Sequence, residues 1–155
     1  MAAVPRTVER FLQSRRIAVA GVSRDPRQAA NAVFRKLNAS GYVTYPVNPN
    51  AAEVEGVHCH PSLDAVPEPV DGVVIATHPD VAAEVVRQCD AAGVTQVWFH
   101  RSFGQGSVSH EAIAECQARG VDPIVGGCPL MFCEPVDLGH KCMRWWLQRR
   151  GRIPR

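Results

Sequence analysis

The sequence predicts an α/β protein, a single Rossmann-like, doubly wound domain whose mostly parallel sheet carries helices on both faces. Three observations lead there. Short apolar runs alternate with longer segments of helical period along nearly the whole chain. The runs are continuous rather than alternating, as in strands covered on both sides. A length of 155 residues, 46% apolar and 21% charged, suits one domain with its own core.

Taken in order, Thr7 is placed to cap a short helix to about residue 13, with Val8, Phe11 and Leu12 as its apolar stripe. That helix reads as a flap ahead of the core. Residues 17–22 (IAVAGV) form the first strand, bounded by Arg16 and a Gly-to-Pro segment. From about 29 to 39, Val33, Phe34 and Leu37 mark a helix that Gly41 stops. Residues 43–47 form a second strand, ended at Asn48-Pro49-Asn50 because proline cannot donate to a central ladder. If the two strands are parallel, the connection between them is right-handed.

Between 51 and 69 the pattern weakens to a short strand at Val57 and one helical turn at 61–66. It then resumes with a strand at 73–76, a helix at 79–92, a strand at 97–99 and a helix from about 109 to 119. Asp80 and Glu84 favour the positive end of the first of these helices, and Gly93 and Gly120 end the two. A strand at 123–125 and a helix at 138–149 complete the order. In that helix Trp145 and Trp146, beside Met143 and Leu147, are expected to cover the sheet, with a dimer contact as the functional alternative. No repeat or linker divides the chain. Residues 1–155 therefore read as one domain, its core at about 12–148 and a basic tail at 149–155.

Composition excludes several function classes. A net charge of +2 is too weak for a nucleic-acid surface, and Arg144, Arg149, Arg150, Arg152 and Arg155 read as a solvated tail. Neither a signal-peptide apolar region nor a membrane-length run is present, so the expectation is a cytoplasmic protein with no membrane partner. The six cysteines are then free thiols. Cys89 and Cys116 fall at core spacing in helices, while Cys128, beside Gly126-Gly127, is the best reactive candidate, with His78 or His100 as an activating cation, although packing is the preferred reading for it too. His58-Cys59-His60 puts two imidazoles on one face, but with no further ligand pair an exposed loop is the preferred reading and no metal is expected.

Ligands of open parallel sheets bind outside the carboxyl ends of the strands, which selects residues 21–27, 47–50, 76–79 and 99–102. Gly21 permits close backbone approach, and Val22, Ser23, Arg24 and Arg27 precede a helix whose first N–H groups suit a phosphate. Gly21 as a plain turn with solvated arginines remains an equal alternative at this point, because G-x-G-x-x-G is missing. Where an NAD site would carry an acid for the ribose, the chain has Asn48, Pro49 and Asn50, which counts against NAD. Asparagines can bond an adenosine without repelling a nearby phosphate, and they also suit a bare turn.

Gly21-Val22-Ser23 with Pro26, Tyr45-Pro46-Val47-Asn48-Pro49-Asn50, Glu55-Gly56, Pro61-Ser62-Leu63 and Pro69-Val70-Asp71-Gly72 together resemble the small stand-alone CoA-binding domain family. The likeness continues through Thr77-His78-Pro79, Ala92-Gly93-Val94, Val97-Trp98-Phe99, Cys128-Pro129-Leu130-Met131-Phe132, Glu134-Pro135-Val136 and Trp145-Trp146, covering about residues 12 to 154. Such proteins are similar to the CoA-binding N-terminal domain of the succinyl-CoA synthetase α subunit. The resemblance implies a Rossmann-like fold and coenzyme A or an acyl-CoA as ligand. It places Gly21 to Arg24 around the pantetheine and phosphate region and Asn48 to Asn50 on the adenosine side. Ala76, Thr77, His78, Pro79, Phe99 and His100 then line the groove. The synthetase has a lysine after its second strand and a phosphohistidine domain that this chain lacks, so binding without catalysis is the expectation and no catalytic residue is assigned. The alternatives are a CoA-dependent thiol or acyl-transfer enzyme using Cys128, and an NAD(P)-binding regulator. A homodimer or protein partner is left open.

Overall fold

The computed structural model describes residues 3–101 and 105–154. Five strands, β1 (Arg16–Ala20), β2 (Val43–Val47), β5 (Gly72–Ile75), β6 (Gln96–Phe99) and β7 (Ile124–Val125), form one sheet in the order β2-β1-β5-β6-β7. Every pairing is parallel, with Ala18 opposite both Tyr45 and Val73. A small antiparallel hairpin of β3 (Glu53–Val54) and β4 (Val57–His58) stands apart from it. The Val57 strand expected from sequence is thus one arm of a hairpin, and the expected turn is a single 3-10 turn at Leu63–Ala65.

The sheet is covered on both faces, as continuous apolar strands require. Ile17 and Val19 point to one face, where they pack with Val33, Phe34 and Leu37 of α2 (Ala29–Ala39), with Val74 and Trp98, and with Leu147 of α5 (Leu138–Arg149). Ala18 and Ala20 point to the other, against Ala82, Val86 and Cys89 of α3 (Pro79–Ala91) and Ala112 and Cys116 of α4 (His110–Ala118). Four helices end alike: a left-handed glycine (Gly41, Gly93, Gly120, Gly151) lets the next N–H return to the carbonyl five residues back, at 2.8–3.2 Å. Side chains cap the starts of three, His78 for α3, Ser109 for α4 and Asp137 for α5.

Both chain ends depart from expectation. Pro5, not Thr7, stands at the start of α1 (Arg6–Leu12), with no side-chain cap. Far from being a flap, α1 buries Val8 and Phe11 completely. The Phe11 ring meets Trp98 edge-on at 5.3 Å and lies where a Cβ on Gly72 would come within 2.9 Å of its Cε2. At the other end, Trp145 and Trp146 are 55% and 37% exposed, so Leu147 and half-buried Met143 cover the sheet instead. Arg149 and Arg150 stack on the two indoles at 4.1 Å. The tail is not wholly solvated either. The Arg152 backbone N–H donates to the Leu147 carbonyl, and Ile153 packs against the core. Arg155 lies outside the described residues. Among the described residues, no helix is long and apolar enough to cross a membrane.

Candidate functional site

Strand order locates the site before any side chain is considered. From β1 the chain moves to β2 on one side, then returns past β1 to β5 on the other, so the loops after β1 and β5 leave toward opposite faces. The crevice between them is the topological switch point of the sheet. Gly21 makes the two loops touch: its φ is +102°, and a Cβ there would lie 2.4 Å from the Ala76 carbonyl oxygen. Its N–H donates to the Val47 carbonyl at 2.9 Å, tying the β2 end to the same point.

The loop after β1 is held largely by its own neighbours. Asn31, only 1% exposed, accepts from the Ser23 N–H at 2.9 Å and donates to the Ser23 carbonyl at 2.7 Å. The Ser23 hydroxyl accepts from the Asp25 N–H at 3.0 Å, and Arg35 donates to the Pro26 carbonyl. Left without hydrogen-bond partners among the described residues are the N–H groups of Arg24, Ala29 and Ala30, the last two in the first turn of α2. Those donors, with the positive end of the helix, form an anion-receptive edge. Arg27 is bound edge-on by Asp25 at 2.9 and 3.0 Å with its side chain 87% exposed, and this pairing holds the Asp25 carboxyl below its ordinary range. Arg24 is exposed.

Other expected residues are placed less directly. Asn48 spends its side chain internally: Nδ2 donates to the Val22 carbonyl at 2.9 Å and Oδ1 accepts from the Asn50 N–H at 2.9 Å. It clasps the ends of β1 and β2, leaving Pro49 and Asn50 exposed beside the crevice. Val22 and Phe99 are completely buried, so their side chains belong to the core and only their backbone borders the groove. Ala76 and Thr77 are partly open, and Ser107, buried, donates to the Thr77 carbonyl at 2.7 Å. His78 is exposed above α3, with Pro79 partly exposed next to it. Ser102 lies outside the described residues. A cavity of about 690 Å³ opens past Arg101, between Gln105, Val108, Ser109 and Ile113.

Five of the six cysteines are buried, and Cys142 is exposed. Cys128 is 3% exposed within the core, and burial pushes Cys89 up to about 12 and Cys116 to about 11. His58 and His60 rings do meet, at 4.8 Å, but no group of three or more metal-ligating side chains exists among the described residues. Burial also lowers His100 below the ordinary 6.5, which disfavours its charged form. His60 moves the same way, by burial first and then by His58. The folded state therefore holds fewer protons than the unfolded chain once pH drops below about 6.5, and stability that is full above that value is lost as pH falls toward the folded pKa. The expected result is a melting temperature that declines from pH 7 to 5.5, and a smaller decline in His100→Gln. An unchanged slope in that variant would remove His100 from the account.

Sequence reasoning missed Asn31 and Glu55. Glu55 accepts from Asn31 Nδ2 at 2.7 Å and pairs with Arg35 at 2.6 Å. Only its place in the Glu55-Gly56 pair of the family resemblance pointed toward it.

Comparison with known proteins identifies the family and the fold. A family model described as a CoA binding domain matches residues 15–134. The α subunit of an ADP-forming acetate–CoA ligase II of Pyrococcus furiosus is 34% identical over 88 residues, which is 56% of this chain and 19% of that one. A hypothetical protein of Pyrococcus horikoshii has a similar structure, with a TM-score of 0.72 and 27% identity over 83% of this chain and 93% of that one. A dinucleotide-forming acetyl-coenzyme A synthetase of Ca. Korarchaeum cryptofilum, in complex with phosphate and ADP, gives 0.64 and 30% over 79% and 27%. The match spans only 12% to 19% of the first curated ligases.

Proposed function

We propose that this chain, which belongs to the CoA binding domain family, holds coenzyme A or an acyl-CoA at the switch point of its sheet and does so without catalysing a reaction of its own. The observation that carries the reading is the contact of the Gly21 and Ala76 loops beside the open N–H groups of Arg24, Ala29 and Ala30. A diphosphate fits that edge, where backbone donors and a helix start favour negative charge. The adenosine lies toward Pro49 and Asn50, and residues 48–50 themselves carry no carboxylate to repel the 3′-phosphate. The pantetheine arm runs past Thr77 and His78.

Binding is favoured over thiol chemistry by burial. Cys128 is closed into the core, and burial disfavours the charged form of His100, both of which weigh against an accessible, activated thiolate at Cys128. The relatives' ligase activities belong to chains several times longer, which makes a separate protein partner part of the proposal.

The test is thermal unfolding with CoA, acetyl-CoA, NAD and NADP at equal concentrations. CoA at about 100 times its Kd contributes about 2.7 kcal/mol. For a domain of this size that raises Tm by roughly 5–10 °C. NAD is expected to do much less, lacking an acid for its ribose. Equal or greater stabilisation by NAD would overturn the ligand assignment.

A further inference from the structure

We propose that Asn31 and Glu55 are positioning residues of the CoA site: a latch, built from the β3–β4 hairpin, that holds the loop after β1 in its ligand-ready shape. The inference rests on the CoA reading above and concerns how that site is kept formed.

The amide of Asn31 is fully committed. Its oxygen accepts from the Ser23 N–H, and its two N–H bonds go to the Ser23 carbonyl and to Glu55 Oε1. A flipped amide would face the Ser23 N–H with a donor and the Ser23 carbonyl and Glu55 with an acceptor. Glu55 therefore fixes which way Asn31 points, and Asn31 fixes Ser23. The same Glu55 oxygen takes Arg35 Nη1, which also donates to the Pro26 carbonyl at 3.0 Å. One carboxylate thus governs both ends of residues 23–26, the segment that presents the Arg24 N–H.

Glu55 reaches this place at a conformational cost. It is the one non-glycine residue with positive φ among the described residues, at 50°, followed by Gly56 at 74°. That tight turn aims its side chain back at α2, leaving it 15% exposed, while the hairpin makes no ladder with the main sheet. An αL conformation in a non-glycine residue persists when surrounding bonds over-determine it. Here those bonds lead to the ligand loop.

The test compares Glu55→Ala, Glu55→Gln, Asn31→Ala and the Asn31→Ala/Glu55→Ala pair with wild type, by CoA titration calorimetry and by amide hydrogen exchange at Ser23. Glu55→Ala is expected to weaken CoA at least about tenfold and to release the Ser23 amide, with α3 and α4 amides unchanged. Glu55→Gln, whose amide oxygen still accepts from Asn31, is expected to recover affinity to within about threefold of wild type. The double variant should bind no worse than the weaker single one, since both act through one latch. Wild-type affinity in folded Glu55→Ala overturns the latch and leaves the CoA reading standing. A wild-type protein that CoA neither stabilises nor binds overturns both. Asn31 is buried, so if Asn31→Ala does not fold, the two Glu55 variants decide the matter.

Discussion

Gly21→Ala is expected to destabilise the protein by about 2–5 kcal/mol and to abolish CoA stabilisation at concentrations that saturate the wild type. Two costs combine. A left-handed backbone costs a residue with a Cβ about 1–2 kcal/mol. An added methyl in a packed site costs about 1–3 kcal/mol more, and here it would sit 2.4 Å from the Ala76 oxygen and 2.7 Å from the Ala76 carbonyl carbon. Neither neighbour is a flexible side-chain end. Relief requires the loops after β1 and β5 to part, and parting them opens the crevice that positions the ligand. The drop in Tm should be roughly 4–20 °C for a chain of this length. A variant that melts with the wild type would mean that the two loops do not meet as closely as described.

That contact also marks how far the sequence is legible. Strands buried on both faces announce themselves as unbroken apolar runs, so β1, β5 and β6 lie where Ile17, Val73 and Val97 start them, within a residue, whereas the edge strand β2, exposed at Val43, is bounded by Gly41 and Asn48-Pro49-Asn50. Gly41, Gly93 and Gly120 end helices in a way that local chemistry alone dictates. The switch point follows from strand order, and with it the four segments proposed to border the ligand.

What sequence could not convey depends on partners distant along the chain. Phe11 belongs to the core because Gly72, 61 positions later, leaves room for its ring. Asn48 suggested a ligand contact or a turn, and its amide is spent on Val22, across the gap between two strands. Arg27 suggested a phosphate contact, yet Asp25 two residues earlier neutralises it. Asn31 sits in a helix whose apolar stripe hides it from any periodicity argument, and only Glu55 and Ser23 explain its burial. Trp145 and Trp146 share a helix with Leu147, but 3.6-residue geometry gives the inward position to only one of three successive residues.

The remaining prediction separates ligand binding from folding by giving them opposite signs. Ala29 is the first residue of α2, exposed, with its N–H at the anion-receptive edge. A carboxylate there complements the helix dipole, so Ala29→Glu should leave stability unchanged or raise it by up to about 1 kcal/mol. For CoA the same charge is repulsive. At roughly 5 Å from a diphosphate and an effective dielectric constant of about 20, one negative charge opposes another by about 3 kcal/mol. Affinity should therefore fall on the order of 100-fold, and further at low salt, where screening is weaker. Ala29→Gln, equal in size and neutral, should retain most of the binding. Calorimetric titration at two ionic strengths, beside urea unfolding of the unliganded proteins, reads both quantities. If Ala29→Glu binds CoA as the wild type does, the diphosphate does not lie at the start of α2. Equal losses in the Glu and Gln variants would instead point to size rather than charge, and to a ligand moiety other than phosphate at this edge.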